Sequence, residues 1–85
     1  MIWRVDLARR AEKELAALPD HILKRAVARI QSLADDPWPR GVKKLEGGGG
    51  VRIRVGDYRI LYDVDSVRHI ITVFAVGHRR EVYRR

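Results

Sequence analysis

The chain has 85 residues, a formal net charge of +7 and 46% hydrophobic residues. This length suits one domain, residues 1–85, and the apolar fraction supports a hydrophobic core. The absence of cysteine excludes disulfides, a thiol nucleophile and cysteine-ligated metal centres. No apolar run approaches the roughly 18 residues of a membrane span, and the start of the chain lacks the pattern of a signal peptide. We therefore expect a cytoplasmic protein with no membrane partner.

The positive charge is concentrated in the second half of the chain. Residues 43–85 contain ten basic and five acidic side chains, whereas residues 1–42 contain eight and six. Eight of those ten basic residues are arginines, whose planar guanidinium group matches the geometry of a phosphate. This bias favours a nucleic-acid partner. A basic surface that serves only solubility is an equally good interpretation at this stage.

The first 34 residues predict a strand and two helices. Residues 2–6 alternate apolar and polar side chains, as a short strand does. Asp6 is suited to cap a helix over residues 7–18, and Asp20 to cap a second helix over 21–34, because each precedes apolar residues at helical spacing. Only about two residues separate the helices, which predicts an antiparallel pair.

A long irregular segment follows at residues 35–50. Prolines, Gly41 and the four consecutive glycines at 47–50 interrupt any regular element. The glycine run lacks the Lys-Ser/Thr ending and the following helix of a phosphate-binding loop, so nucleotide binding is disfavoured. We expect Trp38 to cover the hydrophobic core.

From residue 51 the apolar spacing changes to every second residue. Residues 51–55 and 58–65 predict a β-hairpin with Gly56-Asp57 as its two-residue turn, and residues 68–76 predict a further strand. The predicted fold is therefore α+β. It has a short N-terminal strand at a sheet edge and a two-helix antiparallel hairpin packed on an antiparallel β-sheet of three to four strands.

The hairpin register places three arginines on one face of the sheet. Arg54 lies opposite Arg59, and Arg52 shares their face because side chains alternate along a strand. The other face carries the apolar residues that should pack on the helices, namely Val51, Ile53, Val55, Ile60 and Tyr62. Like charges opposite each other destabilise a sheet, so we expect the arginines to bind a polyanion or an acidic partner. The alternative is neutralisation by nearby carboxylates, those of Asp57, Asp63 or Glu46.

The C-terminal segment adds further groups with relevant chemistry. Residues 77–85 contain an imidazole, a phenol and four guanidinium groups, those of His78, Tyr83, Arg79, Arg80, Arg84 and Arg85. In a meander the third strand lies beside the second, so its end brings this segment near Arg54 or Arg59. Such groups can hold a phosphate, stack on a base and transfer a proton. A solvated basic terminus is the alternative.

Two sequence blocks resemble a known family. "RIRVGDYRILY" at 52–62 and "VGHRREVYR" at 76–84 resemble the RelE branch of the RelE/ParE toxin family of bacterial toxin–antitoxin modules. The resemblance extends over the whole chain and includes Lys43-Lys44-Leu45. It implies the RelE-like microbial RNase fold and a ribosome-dependent mRNA endonuclease that inhibits translation and uses neither metal nor cofactor. Its partners would be mRNA on the ribosome and a RelB-like antitoxin, with operator DNA contacted only through the toxin–antitoxin complex.

The same resemblance implies five of the candidate site residues. Arg52 and Arg54 occupy basic strand positions that are commonly lysines in the family, while Arg59, Arg79 and Tyr83 match its arginine and tyrosine positions. The expected catalytic residues are Arg54, Arg59, Arg79, His78 and Tyr83. The expected RNA-binding residues are Arg52, Lys43, Lys44, Arg80, Arg84 and Arg85.

Metal-independent RNA cleavage uses the ribose 2′-OH as the nucleophile against the adjacent phosphate, leaving a 2′,3′-cyclic phosphate and a 5′-OH. It requires charge stabilisation, a general base and a general acid. Arg54, Arg59 and Arg79 suit charge stabilisation, and Tyr83 suits stacking on or orienting a nucleobase. Arginine cannot act as the base, so we hypothesise that His78 is the base or the acid, with a simple phosphate contact as its alternative role. The other histidines, His21 and His69, are expected to be structural or surface residues and not metal ligands.

Three other functions stay open at this stage. They are a ParE-like toxin that poisons DNA gyrase, a noncatalytic module that binds RNA or DNA, and a degenerate toxin that only binds its antitoxin. Retention of Arg59, Arg79 and Tyr83 favours the nuclease, because a gyrase poison has no chemical need for this set. We expect the antitoxin to cover the arginines with an acidic, disordered segment that folds on binding.

Overall fold

Residues 2–83 are described by the structure, a computed structural model. The elements follow in the order β1 (Arg4–Leu7), α1 (Arg9–Ala16), α2 (Asp20–Ser32), β2 (Lys43–Lys44), β3 (Val51–Val55), β4 (Tyr58–Asp65) and β5 (Ile70–His78). Neither helix in this part of the chain combines the length and the hydrophobicity that a membrane span requires.

The strands form one mixed sheet in the order β1-β5-β4-β3-β2. β1 lies parallel to β5 at one edge, and the other neighbouring pairs are antiparallel. The α+β class and the edge position of the first strand are confirmed. The sheet has five strands instead of three to four because Lys43 and Lys44, within the segment predicted to be irregular, pair with Arg52 and Val51.

Helix α1 begins later and ends earlier than the predicted range 7–18, and α2 ends earlier than the predicted range 21–34. Neither helix has the predicted cap. Asp6 continues β1 opposite Thr72, so α1 begins only after Ala8. Asp20 is the first residue of α2, and the carbonyl of Pro19 accepts the first hydrogen bonds, from Ile22 N at 2.9 Å and Leu23 N at 2.8 Å. The two helices still form the predicted antiparallel layer against the sheet.

The main core lies between the helices and one face of the sheet. Its centre contains Tyr62, Leu33, Ile53, Ile60, Ile71 and Val73, each fully buried. The Tyr62 hydroxyl donates to the carbonyl of Pro37 at 2.6 Å and so fixes the segment after α2 to the sheet. Trp38 meets the ring of Trp3 edge-on and stays half exposed, so it covers Trp3 and not the core itself.

A second, smaller apolar cluster lies on the opposite face of the sheet. It contains Leu61, Ala75 and Val82, with Leu45 and Phe74 packed against them. Val82 comes from the C-terminal segment, which therefore folds back onto the sheet. A β-bulge between Leu61 and Tyr62 accompanies this packing, because Leu61 pairs with Ala75 while Tyr62 pairs with Val73.

Candidate functional site

The hairpin has the predicted register. Gly56 makes the turn with a φ of +59°, and Arg54 lies directly opposite Arg59, with Ile53 opposite Ile60. Because side chains alternate along a strand, Arg52, Arg54 and Arg59 lie on the face of the sheet that turns away from the helices. We call these three residues the arginine face.

Arg59 is a buried cation with little compensation. Its residue surface is only 8% exposed, and its Nη1 donates to the carbonyl of Tyr58 at 3.4 Å, which is a long contact. Over residues 2–83, no carboxylate oxygen lies within 4 Å of a guanidinium nitrogen of the arginine face. The alternative of local neutralisation is therefore wrong for these three arginines. A buried charge without a counter-charge is unfavourable unless something binds it.

The environment of Arg59 shows which candidate residues meet there. Burial lowers the pKa of Arg59 from its ordinary value, and the nearby charges of Arg54, Arg52 and Arg79 lower it further. The hydroxyl of Tyr83 acts in the opposite direction. Arginine keeps its proton at neutral pH in spite of such shifts. Four predicted site residues from two separate parts of the sequence are therefore close enough to Arg59 to influence its charge.

The C-terminal segment reaches this face because its backbone is held at several points. Arg79 N donates to the carbonyl of Asp57 at 2.8 Å, and the Arg79 Nε lies 4.0 Å from the Asp57 carboxylate. Glu81 N and Val82 N both donate to the carbonyl of His78, which closes a turn. As far as Tyr83, the segment is thus folded and is not a solvated end.

Two residues of α1 also hold this segment, and no local sequence pattern indicates this role. The Nη2 of Arg10 donates to the carbonyl of Val82 at 3.0 Å. The Oε1 of Glu14 accepts from Val76 N at 2.9 Å, and its Oε2 accepts from Arg10 Nε at 3.2 Å. In the sequence these residues are an ordinary i,i+4 pair on a helix surface, which carries no signal for contacts 62 and 72 residues away.

His78 lies on the other face of the sheet from the arginines. His78 pairs with Tyr58, whose side chain faces the helices. The neighbouring pair, Arg59 and Gly77, faces the opposite side of the sheet. The ring of His78 meets that of Tyr58 edge-on at a centroid distance of 5.5 Å, and its Nδ1 accepts from Arg80 N at 3.2 Å. The hypothesis that His78 is the general base or acid therefore loses its geometric support. The sequence misplaced this residue because β5 continues to His78 instead of ending at residue 76.

The predicted RNA-binding lysines line a groove that continues from the arginine face. Lys43 lies opposite Arg52, and both border a groove of about 640 Å³ together with Lys44. Leu61, Phe74 and Val82 give the groove an apolar part, and Tyr83 also lines it. The Nη1 of Arg52 is buried and has no hydrogen-bond partner in the described part of the chain.

The remaining candidates lie apart from this arrangement. Arg80 is exposed, next to the turn at His78, and Arg84 and Arg85 lie outside the described residues. His69 stacks on Trp3 at a centroid distance of 4.6 Å, and His21 is exposed. Within residues 2–83, no group of three or more His, Cys, Asp or Glu side chains could hold a metal ion.

Comparison with known proteins gives a consistent result. The family described as ParE toxin of type II toxin–antitoxin systems matches residues 5–83. The toxin RelG of Mycobacterium tuberculosis is 31% identical over 87 residues, which cover 100% of both chains. A crystal structure of the archaeal RelE–RelB complex from Pyrococcus horikoshii contains a chain with a TM-score of 0.81 and 32% identity, covering 96% of this chain and 100% of that one. The toxin–antitoxin complex RelBE2 from M. tuberculosis matches with the same TM-score at 30% identity, over 95% of each chain. The chain therefore belongs to the RelE/ParE family of toxins from type II toxin–antitoxin systems.

Proposed function

We propose that this RelE-type toxin is an endoribonuclease that cuts mRNA on the ribosome, without a metal ion, and thereby inhibits translation. The observation that carries the proposal is the buried, uncompensated guanidinium of Arg59, with Arg52, Arg54, Arg79 and Tyr83 around it. A phosphodiester placed there would supply the missing negative charge. The relative RelG of M. tuberculosis is named as a toxin, which supports the toxin part of the proposal.

The arginines suit the charge that develops during cleavage. The ribose 2′-oxygen forms a bond to phosphorus while the bond from phosphorus to the 5′-oxygen breaks, giving a 2′,3′-cyclic phosphate and a 5′-OH. Negative charge accumulates on the phosphoryl oxygens and on the leaving 5′-oxygen. Arg59 and Arg54 would bind the phosphoryl oxygens, and the half-exposed Arg79 would face the leaving group.

Proton transfer needs a group that arginine cannot replace. The 2′-OH loses a proton and the 5′-oxygen gains one, so a titratable side chain must lie near the phosphate. With His78 on the opposite face of the sheet, we assign protonation of the leaving 5′-oxygen to the phenol of Tyr83, which is half exposed and lies near Arg59. The 2′-OH proton passes to solvent water, and the phenolate regains its proton from solvent. The Tyr83 ring also suits stacking on a nucleobase, as predicted from the sequence.

The groove lined by Lys43, Lys44 and Arg52 would bind the RNA backbone next to the reacting phosphate. Arg80 stands exposed close to the C-terminal turn, and Arg84 and Arg85 follow Tyr83 in the sequence. These contacts would position the message without reading its bases.

The second partner we propose is a RelB-like antitoxin. The structures from P. horikoshii and M. tuberculosis are toxin–antitoxin complexes. An acidic segment of such a partner would neutralise the arginine face and exclude RNA, and operator DNA would be contacted only by the complex. Because its substrate would be message on ribosomes, we place the toxin in the cytoplasm.

A translation extract tests the proposal. Added toxin should shorten the message, and the new 5′ ends should be hydroxyls that a polynucleotide kinase phosphorylates directly. Unaffected translation would support the second candidate, a ParE-like gyrase poison. This candidate is considered because the matching family is described as ParE toxin. Binding that weakens with salt but gives no 5′-OH product would indicate a noncatalytic nucleic-acid-binding module. Antitoxin binding without either effect would indicate a degenerate toxin.

A further inference from the structure

A second cluster of arginines lies around the free edge of β3. Arg25 and Arg29 of α2, Arg40 of the following segment and Arg54 of the arginine face line a groove of about 500 Å³, which we call the edge groove. β2 pairs only with Val51 and Arg52. In the described part of the chain, the outer edge of β3 beyond Arg52 therefore has no neighbouring strand, and the groove lies along it.

The charges of the edge groove are not balanced by the protein. Over residues 2–83, no carboxylate lies within 4 Å of a guanidinium nitrogen of Arg25, Arg29, Arg40 or Arg54. The Nε of Arg29 is buried and has no hydrogen-bond partner among the described residues. A buried donor without an acceptor is unfavourable for folding, so the fold alone does not explain an arginine at this position.

We propose that the edge groove is a second phosphate-binding site, which holds the backbone of an RNA strand beside the one that is cut. The choice of RNA rests on the proposed function, because Arg54 belongs to both the edge groove and the arginine face. The groove is lined by fixed guanidinium forks, which match phosphate oxygens in pairs. Arg25 and Arg29 are one helical turn apart on the same face of α2, so both can contact one strand. Backbone contacts of this kind add affinity and orientation without sequence selection.

The salt dependence of RNA binding tests this site separately from cleavage. The test variant combines Arg25→Gln, Arg29→Gln and Arg40→Gln. The control combines Arg4→Gln, Arg9→Gln and Arg68→Gln, which removes the same charge from exposed positions away from both sites. The probe is a short mixed-sequence single-stranded RNA, titrated at several salt concentrations. Because three guanidinium groups no longer bind phosphate, the slope of log K against log salt should become shallower by about 2 in the test variant and stay near the wild-type value in the control.

Several outcomes would overturn the site. An unchanged slope in the test variant would do so, and so would an equal change in the control. A test variant that loses binding to polyglutamate but keeps RNA binding would also do so, because the groove would then bind an acidic polypeptide. Arg29 is partly buried, so replacing it can disturb folding. The double variant Arg25→Gln with Arg40→Gln, which changes only exposed residues, is therefore measured as well. Its slope of log K against log salt should become shallower by about 1.4. Cleavage by the wild type is measured in parallel. If RNA binding depends on the groove but the wild type cleaves no RNA, the edge-groove proposal is supported and the proposed nuclease function is contradicted.

Discussion

Arg54 and Arg59 lie directly opposite each other in the β3–β4 hairpin, on the face turned away from the helices. Like charges in this position repel, and burial of Arg59 to 8% exposure deprives it of solvent screening. Folding alone gains nothing from this arrangement. Such local conflicts are characteristic of functional sites, where stability is lost for the sake of binding or catalysis.

The first prediction concerns this cost in stability. Arg59→Met keeps most of the side-chain volume and removes the buried charge, so we expect the free energy of unfolding to rise by about 1–3 kcal/mol. Urea denaturation measures it, with Arg68→Met, an exposed arginine in the β4–β5 turn, as the control with little change. A destabilised Arg59→Met protein would mean that the guanidinium supports the fold and is not reserved for a ligand.

The second prediction separates the two candidates for proton transfer. Tyr83→Phe should lower the rate of message cleavage by about 100-fold or more, because it removes the hydroxyl beside Arg59 and keeps the ring. His78→Gln should stay within a few-fold of the wild type, since His78 lies on the helix-facing side of the sheet. Single-turnover cleavage of ribosome-bound message gives both rates. The reverse order of the two effects would return the catalytic role to His78.

The third prediction concerns alkaline pH. Burial raises the pKa of Tyr62 to about 12, whereas in the unfolded chain it stays near the ordinary value of 10. Between these values the unfolded state loses the proton first, so the stability present below pH 10 falls as the pH rises toward 12. The expected loss is on the order of 2 kcal/mol.

Tyr62→Phe is the matched variant for this effect. It should cost about 1 kcal/mol at neutral pH through loss of the hydrogen bond to Pro37, and its stability should fall less steeply between about pH 10 and 12. Denaturant unfolding of both proteins across this range measures the difference. Parallel pH curves would show that Tyr62 ionises in the folded state as easily as in the unfolded state.

The fourth prediction concerns the glycine run. Gly50 has a φ of +121°, and a Cβ there would lie 2.7 Å from the carbonyl oxygen of Tyr62. Gly50→Ala should therefore lower the free energy of unfolding by about 2–4 kcal/mol, through strain and overlap together. Gly48, with a φ of +83° and no atom within 4 Å of an added Cβ, carries the strain alone, and Gly48→Ala should cost about 1–2 kcal/mol. Thermal or urea unfolding ranks the two variants, and equal losses would contradict the close approach at Gly50.

The sequence predicted the hairpin well because its physics is local. A two-residue turn and alternation of apolar side chains fix the register, so the pairing of Arg54 with Arg59 followed from the residues alone. The short strand at Lys43–Lys44 was missed because two residues between proline-rich and glycine-rich stretches carry no periodicity. It forms only because the edge of β3 offers it hydrogen bonds.

The C-terminal part of the site was harder to predict because it depends on distant contacts. Two extra residues in β5 decide that His78 faces the helices, and the hydrogen bonds of Arg10 and Glu14 help to hold the turn that brings Tyr83 to Arg59. Neither feature has a local sequence signal. The candidate residues were therefore identified largely by type, and their division between the two faces of the sheet required the structure.

The central claim is that the arginine face cuts mRNA and that Arg59 holds the reacting phosphate. Its most direct test is to map the 5′ ends of ribosome-bound messages after induction of the wild type, Arg59→Ala and Arg68→Ala. We predict new ends bearing a 5′-OH with the wild type and with Arg68→Ala, and their reduction by at least about 100-fold with Arg59→Ala. The same ends at undiminished frequency with a folded Arg59→Ala protein would contradict this assignment.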